Sequence, residues 1–290
     1  MSSSIAGYRK AYHQSICRQM LRISYDKKRK QNYVNLADCG NKASIEIADR
    51  LADNLCGLNN VFQAKVAGQT TGTLFEALTK DFLEQAFGLL HHLRPGKWVY
   101  STQSTISDFE QYEHLAYVKK VMDKDPALSA ALKGDYLIMP DIVVGRMPVA
   151  DEEINKFQKI VDEENIAAFS PLRKANLQSR NPILHASISC KWTIRSDRSQ
   201  NTRTEALNLI RNRKGPLPHV AAVTAEPLPS RLATLALGTG DLDCVYHFAL
   251  PELRAAIVSL NNEVALDLLD TMINGKRLRD ISDLPFDLAI

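Results

Sequence analysis

From residue 183 the chain alternates. Leu184, Ala186, Ile188 and Cys190 fall on one side, while Ser187, Ser189 and Lys191 fall on the other. That period of two marks a half-buried strand, and it places Lys191 at the strand's end on the polar face. Residues 136–144 are nearly all apolar and read as a strand buried on both faces, with Asp141 as the ionisable residue inside it. Shorter strands are expected at 97–101, 219–225 and 243–248. Helical spacing covers residues 1–35, 44–55, 109–122, 151–161, 229–237, 252–260 and 263–273. A long helix is predicted over 74–92, after a loop at 69–73; Phe75, Leu78, Phe82, Ala86 and Leu89 share one face, with Glu76 on its flank. Thr202 and Glu205 have the spacing of a capping box, so a helix is expected to open there and bury Ala206, Leu209 and Ile210. No repeat, low-complexity linker or domain boundary interrupts the pattern. The prediction is one mixed α/β domain over residues 1–290, a central sheet flanked by helices, with the N-terminal helical region of about 60 residues integral to it.

Composition narrows this little: 45% hydrophobic, 24% charged and a net charge of +3 describe an ordinary globular chain. Mild basicity permits nucleic-acid binding without arguing for it, so local clustering has to carry that case. The run Lys27, Lys28, Arg29, Lys30 reads either as a solvated face or as a phosphate-contacting arm. Cys17, Cys39, Cys56, Cys190 and Cys244 are odd in number and lack C-x-x-C spacing; reduced thiols in a cytoplasmic protein are the simplest expectation. No apolar run reaches membrane-spanning length.

An aspartate in an apolar strand is costly to bury without a partner or a metal. Lys191 closes the next long strand, and Glu205 follows fourteen residues later. Two carboxylates and a lysine at strand ends suit phosphodiester hydrolysis: carboxylates hold Mg²⁺, and the lysine orients a water or offsets developing charge. Each residue also has an ordinary explanation, since Pro-Asp pairs make turns, strand-end lysines are solvated and Glu205 completes a capping box. Immediately downstream, Arg195 and Arg198 flank Asp197. Arginine reads guanine through O6 and N7, and a carboxylate accepts from the cytosine amino group, so two symmetry-related copies could read C-C-G-G. The ordinary reading of that cluster is a surface salt bridge.

Together Pro140-Asp141, Ser189-Cys190-Lys191, Arg195-Ser196-Asp197-Arg198 and Glu205 resemble the signature of the type II restriction endonucleases that cut sites containing CCGG. In that variant of the PD-(D/E)XK pattern the second acidic residue follows the lysine, and Ser189 fills the slot where most relatives carry a carboxylate. The segments 68–76 and 224–232 extend the likeness. The resemblance implies a restriction-endonuclease-like core and Mg²⁺-dependent cleavage of double-stranded DNA, with two ions per active site. It gives Asp141, the Cys190 carbonyl and Glu205 as the metal site. Lys191 would position the attacking water, with Glu76 and Glu205 acting through bound waters and Ser189 within the catalytic group. It assigns the inner CCGG to Arg195, Asp197 and Arg198, and the outer pair to Gln69 and Arg231. An outer G·C pair would make the site G/CCGGC with a 5′ CCGG overhang. It further implies a homo-oligomer, with a tetramer favoured over a dimer, and a cognate DNA methyltransferase.

Two rivals come from other classes. Cys190 could be a nucleophile served by His185 or His219. Alternatively, the arginines could belong to a DNA-binding regulator without catalysis, although no helix-turn-helix or zinc-finger pattern is visible.

Overall fold

The computed structural model describes residues 3–57, 68–127, 138–164, 166–176, 181–194, 196–238 and 240–290, without the side chains of residues 68–70 and 196–199. Its centre is a sheet in sequence order, β3 (Trp98–Ser101), β4 (Ile142–Arg146), β5 (Ile183–Lys191), β6 (His219–Thr224), β7 (Cys244–His247) and β8 (Leu278–Asp280). β3, β4 and β5 pair antiparallel, whereas β5 to β8 run parallel. β5 is the strand at which direction changes, and its residues from Leu184 to Cys190 are buried. A sheet covered on both faces needs such apolar strands, and Ile142, Val144, Ile188, Ala222 and Val223 supply them.

Between β4 and β5 the register slips at Val144/Gly145. A Cβ at Gly145 would lie 2.9 Å from both Phe109 and Val99, so the close approach there requires glycine. Gln111 ties down the irregular strand, accepting from the Leu184 N–H and donating to the Leu184 carbonyl, each at 2.8 Å. At this bulge His185 joins the aromatic group of Phe87 and Trp98.

Preceding the sheet are α1 (Ser4–Gln19), the hairpin β1 (Ile23–Asp26) and β2 (Gln31–Val34), α2 (Lys42–Cys56) and α3 (Gly68–Gly88). α3 lays Phe75, Phe82, Leu83, Ala86 and Phe87 into the core. Then come α4 (Glu113–Met122), α5 (Asp151–Ile154), α6 (Ser196–Asn212), α7 (Pro229–Ala236), α8 (Leu250–Ser259), α9 (Glu263–Asn274) and α10 (Leu284–Asp287). Arg9 of α1 forms paired hydrogen bonds with Glu252 (2.8 and 2.6 Å) and Asp280 (both 2.8 Å), joining the first helix to the last strand.

Several expectations need correction. The basic run is not helical: Lys27 to Lys30 form the turn of the β1–β2 hairpin, where Asp26 accepts from the Lys28 and Arg29 N–H groups. The Asp141 strand begins only after the aspartate, at Ile142; of its expected residues, 136 and 137 lie outside the described ones. α3 opens at Gly68 instead of after a loop, and the helix expected over 151–161 is one turn. α6 starts at Ser196, six residues before Thr202, so Thr202 and Glu205 are interior helix positions and no capping box forms there. Cys17 and Cys56 are bonded as a disulfide between α1 and α2, against the expectation of wholly reduced thiols; Cys39, Cys190 and Cys244 are free.

Candidate active site

Because β4 runs against β5, the start of β4 meets the end of β5, and Asp141 lands beside Ser189, Cys190 and Lys191. Asp141 Oδ2 accepts from Lys191 Nζ at 2.7 Å, from the Cys190 backbone N–H at 2.6 Å and from Ser189 Oγ at 3.3 Å. Both partners of the Asp141–Lys191 ion pair are mostly buried, with side-chain exposures of 22% and 19%. A carboxylate so placed is held by charge and by hydrogen bonds whose donors are fixed by the strand.

Two further carboxylates face this pair. Burial pushes the Glu205 carboxyl above its ordinary value; Lys191 pulls it down and Asp141 pushes it up again. Glu76 of α3 is likewise raised by burial and by Asp141, against Lys191. Burial alone would lower the Lys191 ammonium, yet Asp141 and Glu205 hold it above its usual value. Asp141, Lys191, Glu205 and Glu76 therefore share one electrostatic neighbourhood. Ser189 Oγ also lies 3.4 Å from Thr202 Oγ1, one helical turn before Glu205, and so connects β5 to α6. With the capping box gone, Glu205 has lost its ordinary structural explanation.

The Cys190 thiol belongs to the opposite side of β5. Its side chain is 4% exposed, burial drives its pKa well up, and it bonds toward Thr79 of α3, whose hydroxyl meets Tyr12 at 2.9 Å. The cysteine-nucleophile rival fails on this geometry. His185 lies five residues back along the strand, roughly 16 Å away at strand rise. It is stacked among Trp98, Phe87 and His219. What Cys190 can offer the site is backbone: within a strand the N–H and C=O of one residue point the same way, and its N–H points to Asp141.

The expected DNA-reading residues are placed less completely. Arg195 lies outside the described residues. The backbone of Asp197 and Arg198 forms the first turn of α6, and that of Gln69 the first turn of α3, with their side chains outside the described part. Arg231, in the first turn of α7, pairs with Asp38 and stands 3.9 Å from Glu226. Glu226, fully buried, accepts from the Ile194 N–H at 2.8 Å and has its carboxyl pushed up to about 7 by burial, with the Ile194 and Leu228 N–H groups and Arg231 working against that rise. Sequence reasoning missed Asp38 and Glu226 and read Thr202 only as a helix cap, since no spacing rule links residues that only folding joins. Glu226 did carry one signal, an acidic residue directly after an apolar strand.

Among the described residues no three His, Cys, Asp or Glu side chains stand close enough to form a ready-made metal cluster. The acidic groups are spread around Lys191.

A family model described as NgoMIV restriction enzyme matches residues 12–290. The type II restriction enzyme NgoMIV of Neisseria gonorrhoeae is 52% identical over 262 residues, 89% of this chain and 90% of the relative. Among solved structures, the type IIF restriction endonuclease Bse634I with cognate DNA aligns over 90% of this chain and 99% of its own, at 12% identity and a TM-score of 0.32. A second Bse634I structure aligns over 86% and 98%, at the same identity and score. The chain belongs to the NgoMIV restriction enzyme family, a family of type II restriction endonucleases.

Proposed function

We propose that this enzyme hydrolyses both strands of double-stranded DNA at a palindrome containing CCGG, with Mg²⁺ as cofactor. The observation that carries the reading is the Asp141 carboxylate clasped by Lys191 Nζ and the Cys190 N–H, with Glu205 and Glu76 facing it. The donor set fits a hard cation. It offers carboxylate and carbonyl oxygen, while the thiol faces away and, among the described residues, no imidazole takes part. It fits electrostatically too, because Asp141 raises both glutamates and only one lysine offsets them.

Asp141 and the Cys190 carbonyl would hold the metal, with Glu205 and Glu76 acting on it through water. Bound there, a divalent ion neutralises phosphate charge and acidifies a water. The chain's own part is positioning. Lys191 presents its ammonium where the attacking water and the developing negative charge must be, and Ser189 fixes Asp141 relative to α6. Arg195, Asp197 and Arg198 read the inner CCGG in the major groove; Gln69 and Arg231 read an outer G·C pair, giving G/CCGGC and a 5′ CCGG overhang. A regulator without catalysis would have no use for three carboxylates around a buried lysine. Incubation of a plasmid of known sequence with Mg²⁺, followed by sequencing of the fragment ends, is expected to show cuts only at G/CCGGC. Retarded but intact DNA would establish the regulator instead.

Copies of the chain are proposed to assemble as a homo-oligomer, a tetramer over a dimer. Between residues 151 and 176, Arg173 grips Asp151 at 2.7 and 2.6 Å and also bonds the carbonyls of Asp162 and Ile166. This arm is thus internally braced, yet Phe157 and Phe169 are 92% and 99% exposed, with Ile160 and Ile166 also turned outward. Large apolar side chains held in the open mark a contact surface, and a palindrome calls for two-fold-related copies. Phe157→Asp with Phe169→Asp is expected to lower the mass measured by sedimentation while leaving the melting temperature in place. An unchanged mass would remove the arm from the interface.

The cellular setting completes the proposal. A nuclease of this kind works in the cytoplasm beside a methyltransferase that protects the same sequence. Among the described residues no helix is long and apolar enough to cross a membrane.

A further inference from the structure

The Glu226 carboxylate has no role in hydrolysis as derived above, yet the fold goes to some cost to bury it. It lies two residues beyond the end of β6 and is 0% exposed. Its two oxygens serve different elements. Oε2 accepts from the Ile194 N–H at 2.8 Å, and Oε1 accepts from the Leu228 N–H at 3.2 Å. Arg231 Nη1 stands 3.9 Å from Oε2, while the other terminal nitrogen of Arg231 pairs with Asp38. The backbone N–H of Glu226 donates to Thr224 Oγ1 at 3.1 Å, fixing the carboxylate from below.

The position of those partners in the chain is what matters. Ile194 immediately precedes Arg195 and the α6 turn that carries Asp197 and Arg198. Leu228 is the N-cap residue immediately before α7, and α7 carries Arg231. One side chain therefore fastens the start of both segments assigned to base reading.

We infer that Glu226 is a positioning residue for sequence discrimination, its single carboxylate setting the spacing between the segment bearing Arg195, Asp197 and Arg198 and the helix bearing Arg231. The inference rests on the DNA-reading roles proposed above. A carboxylate is the group this bridge requires. Each oxygen accepts from a different backbone N–H, and the group in its ionised form meets a guanidinium. Glutamine would keep one acceptor and turn an amino group toward the other N–H, losing one attachment and the charge together. Aspartate is one methylene shorter and could not reach both partners.

A purely structural clamp would behave differently from a positioning one. The test compares wild type with Glu226→Gln as intact oligomers on DNA carrying the wild type's own recognition site, as read from its fragment ends, and on sites altered at one inner or one outer base pair. Choosing the site this way keeps the test standing if the CCGG assignment is wrong. Glu226→Gln is expected to lower the ratio of kcat/KM between correct and altered sites by about tenfold or more at inner and outer positions alike, the size of one lost base-reading contact. Single-turnover cleavage of the correct site is expected to stay within about threefold of wild type, since Asp141, Lys191 and Glu205 are untouched. An unchanged ratio with uniformly weaker cleavage of all sites would overturn the inference. A second measurement needs no change at Glu226. The discrimination losses from Arg198→Ala and Arg231→Ala are expected to be non-additive in the double variant, because one bridge couples their segments; simple additivity would overturn the inference as well.

Discussion

Asp141→Ala is expected to reduce single-turnover cleavage by roughly 10³-fold or more, since it removes the one carboxylate that Lys191, Cys190 and Ser189 all converge on. Specific DNA binding should survive. The substitution removes negative charge from a surface that meets phosphates, and it leaves the segments beginning at Arg195 and at Leu228 in place. Lys191→Ala should give the same separation of binding from cleavage, because the role proposed for the ammonium is on the reacting water and not on base edges. Cys190→Ala is the matched control. Its thiol faces Thr79 and Tyr12 across the core, so the variant keeps the backbone carbonyl and should retain substantial activity. Gel retardation with parallel quenched-flow cleavage checks all three. Loss of binding at an unchanged cleavage rate in Asp141→Ala would remove the assigned roles.

Arg9→Ala should be among the most destabilising single changes in the molecule, at about 3–5 kcal/mol, because it strands two carboxylates that folding has largely removed from water. The guanidinium bonds Glu252 and Asp280 through four contacts, with side-chain exposures of 17% for Arg9, 23% for Glu252 and 11% for Asp280. Burial works to raise both carboxyls, yet Arg9 outweighs it and holds each below its ordinary value. The sign with pH follows. Groups depressed in the folded state contribute stability above their unfolded values, 4.5 for Glu252 and 3.8 for Asp280, and lose it as pH falls through the folded ones. The gap between wild type and Arg9→Ala should therefore be full near pH 7 and close below about pH 4. Urea unfolding at several pH values measures it, and a gap under about 1 kcal/mol at neutral pH would show the network to be worth no more than a surface pair.

The strands were legible wherever apolar alternation or a continuous apolar run was long enough to exclude helix, as at β5, β6 and β7. Helix starts were not. The six residues from Ser196 to Asn201 are polar and carry no periodicity, so the first sign of α6 in the sequence was the Thr202–Glu205 spacing well inside it. The Cys17–Cys56 bond was equally hidden, because two cysteines on successive helices meet only through tertiary packing. At the site, Asp141, Lys191 and Glu205 stood out because phosphodiester hydrolysis suits those residue types at strand ends and on the following helix. The contacts of Glu226 and of Asp38 were not, since their partners lie 32 and 193 residues away along the chain.

The reversal of strand direction at β5 has an architectural consequence. With β4 opposed to it and β6 aligned with it, the beginning of one neighbour and the ending of the other are delivered to a single rim, where Asp141, Lys191 and Glu226 all emerge. On the roles proposed above, scission and recognition are thereby mounted on the same rigid frame but borne by separate outgrowths. If the base-reading segments are those proposed, exchange of side chains beyond Ile194 or Leu228 would alter which bases are accepted without disturbing the strands that hold the proposed cutting groups, so a lineage built on this scaffold would drift in specificity while its chemistry stays fixed.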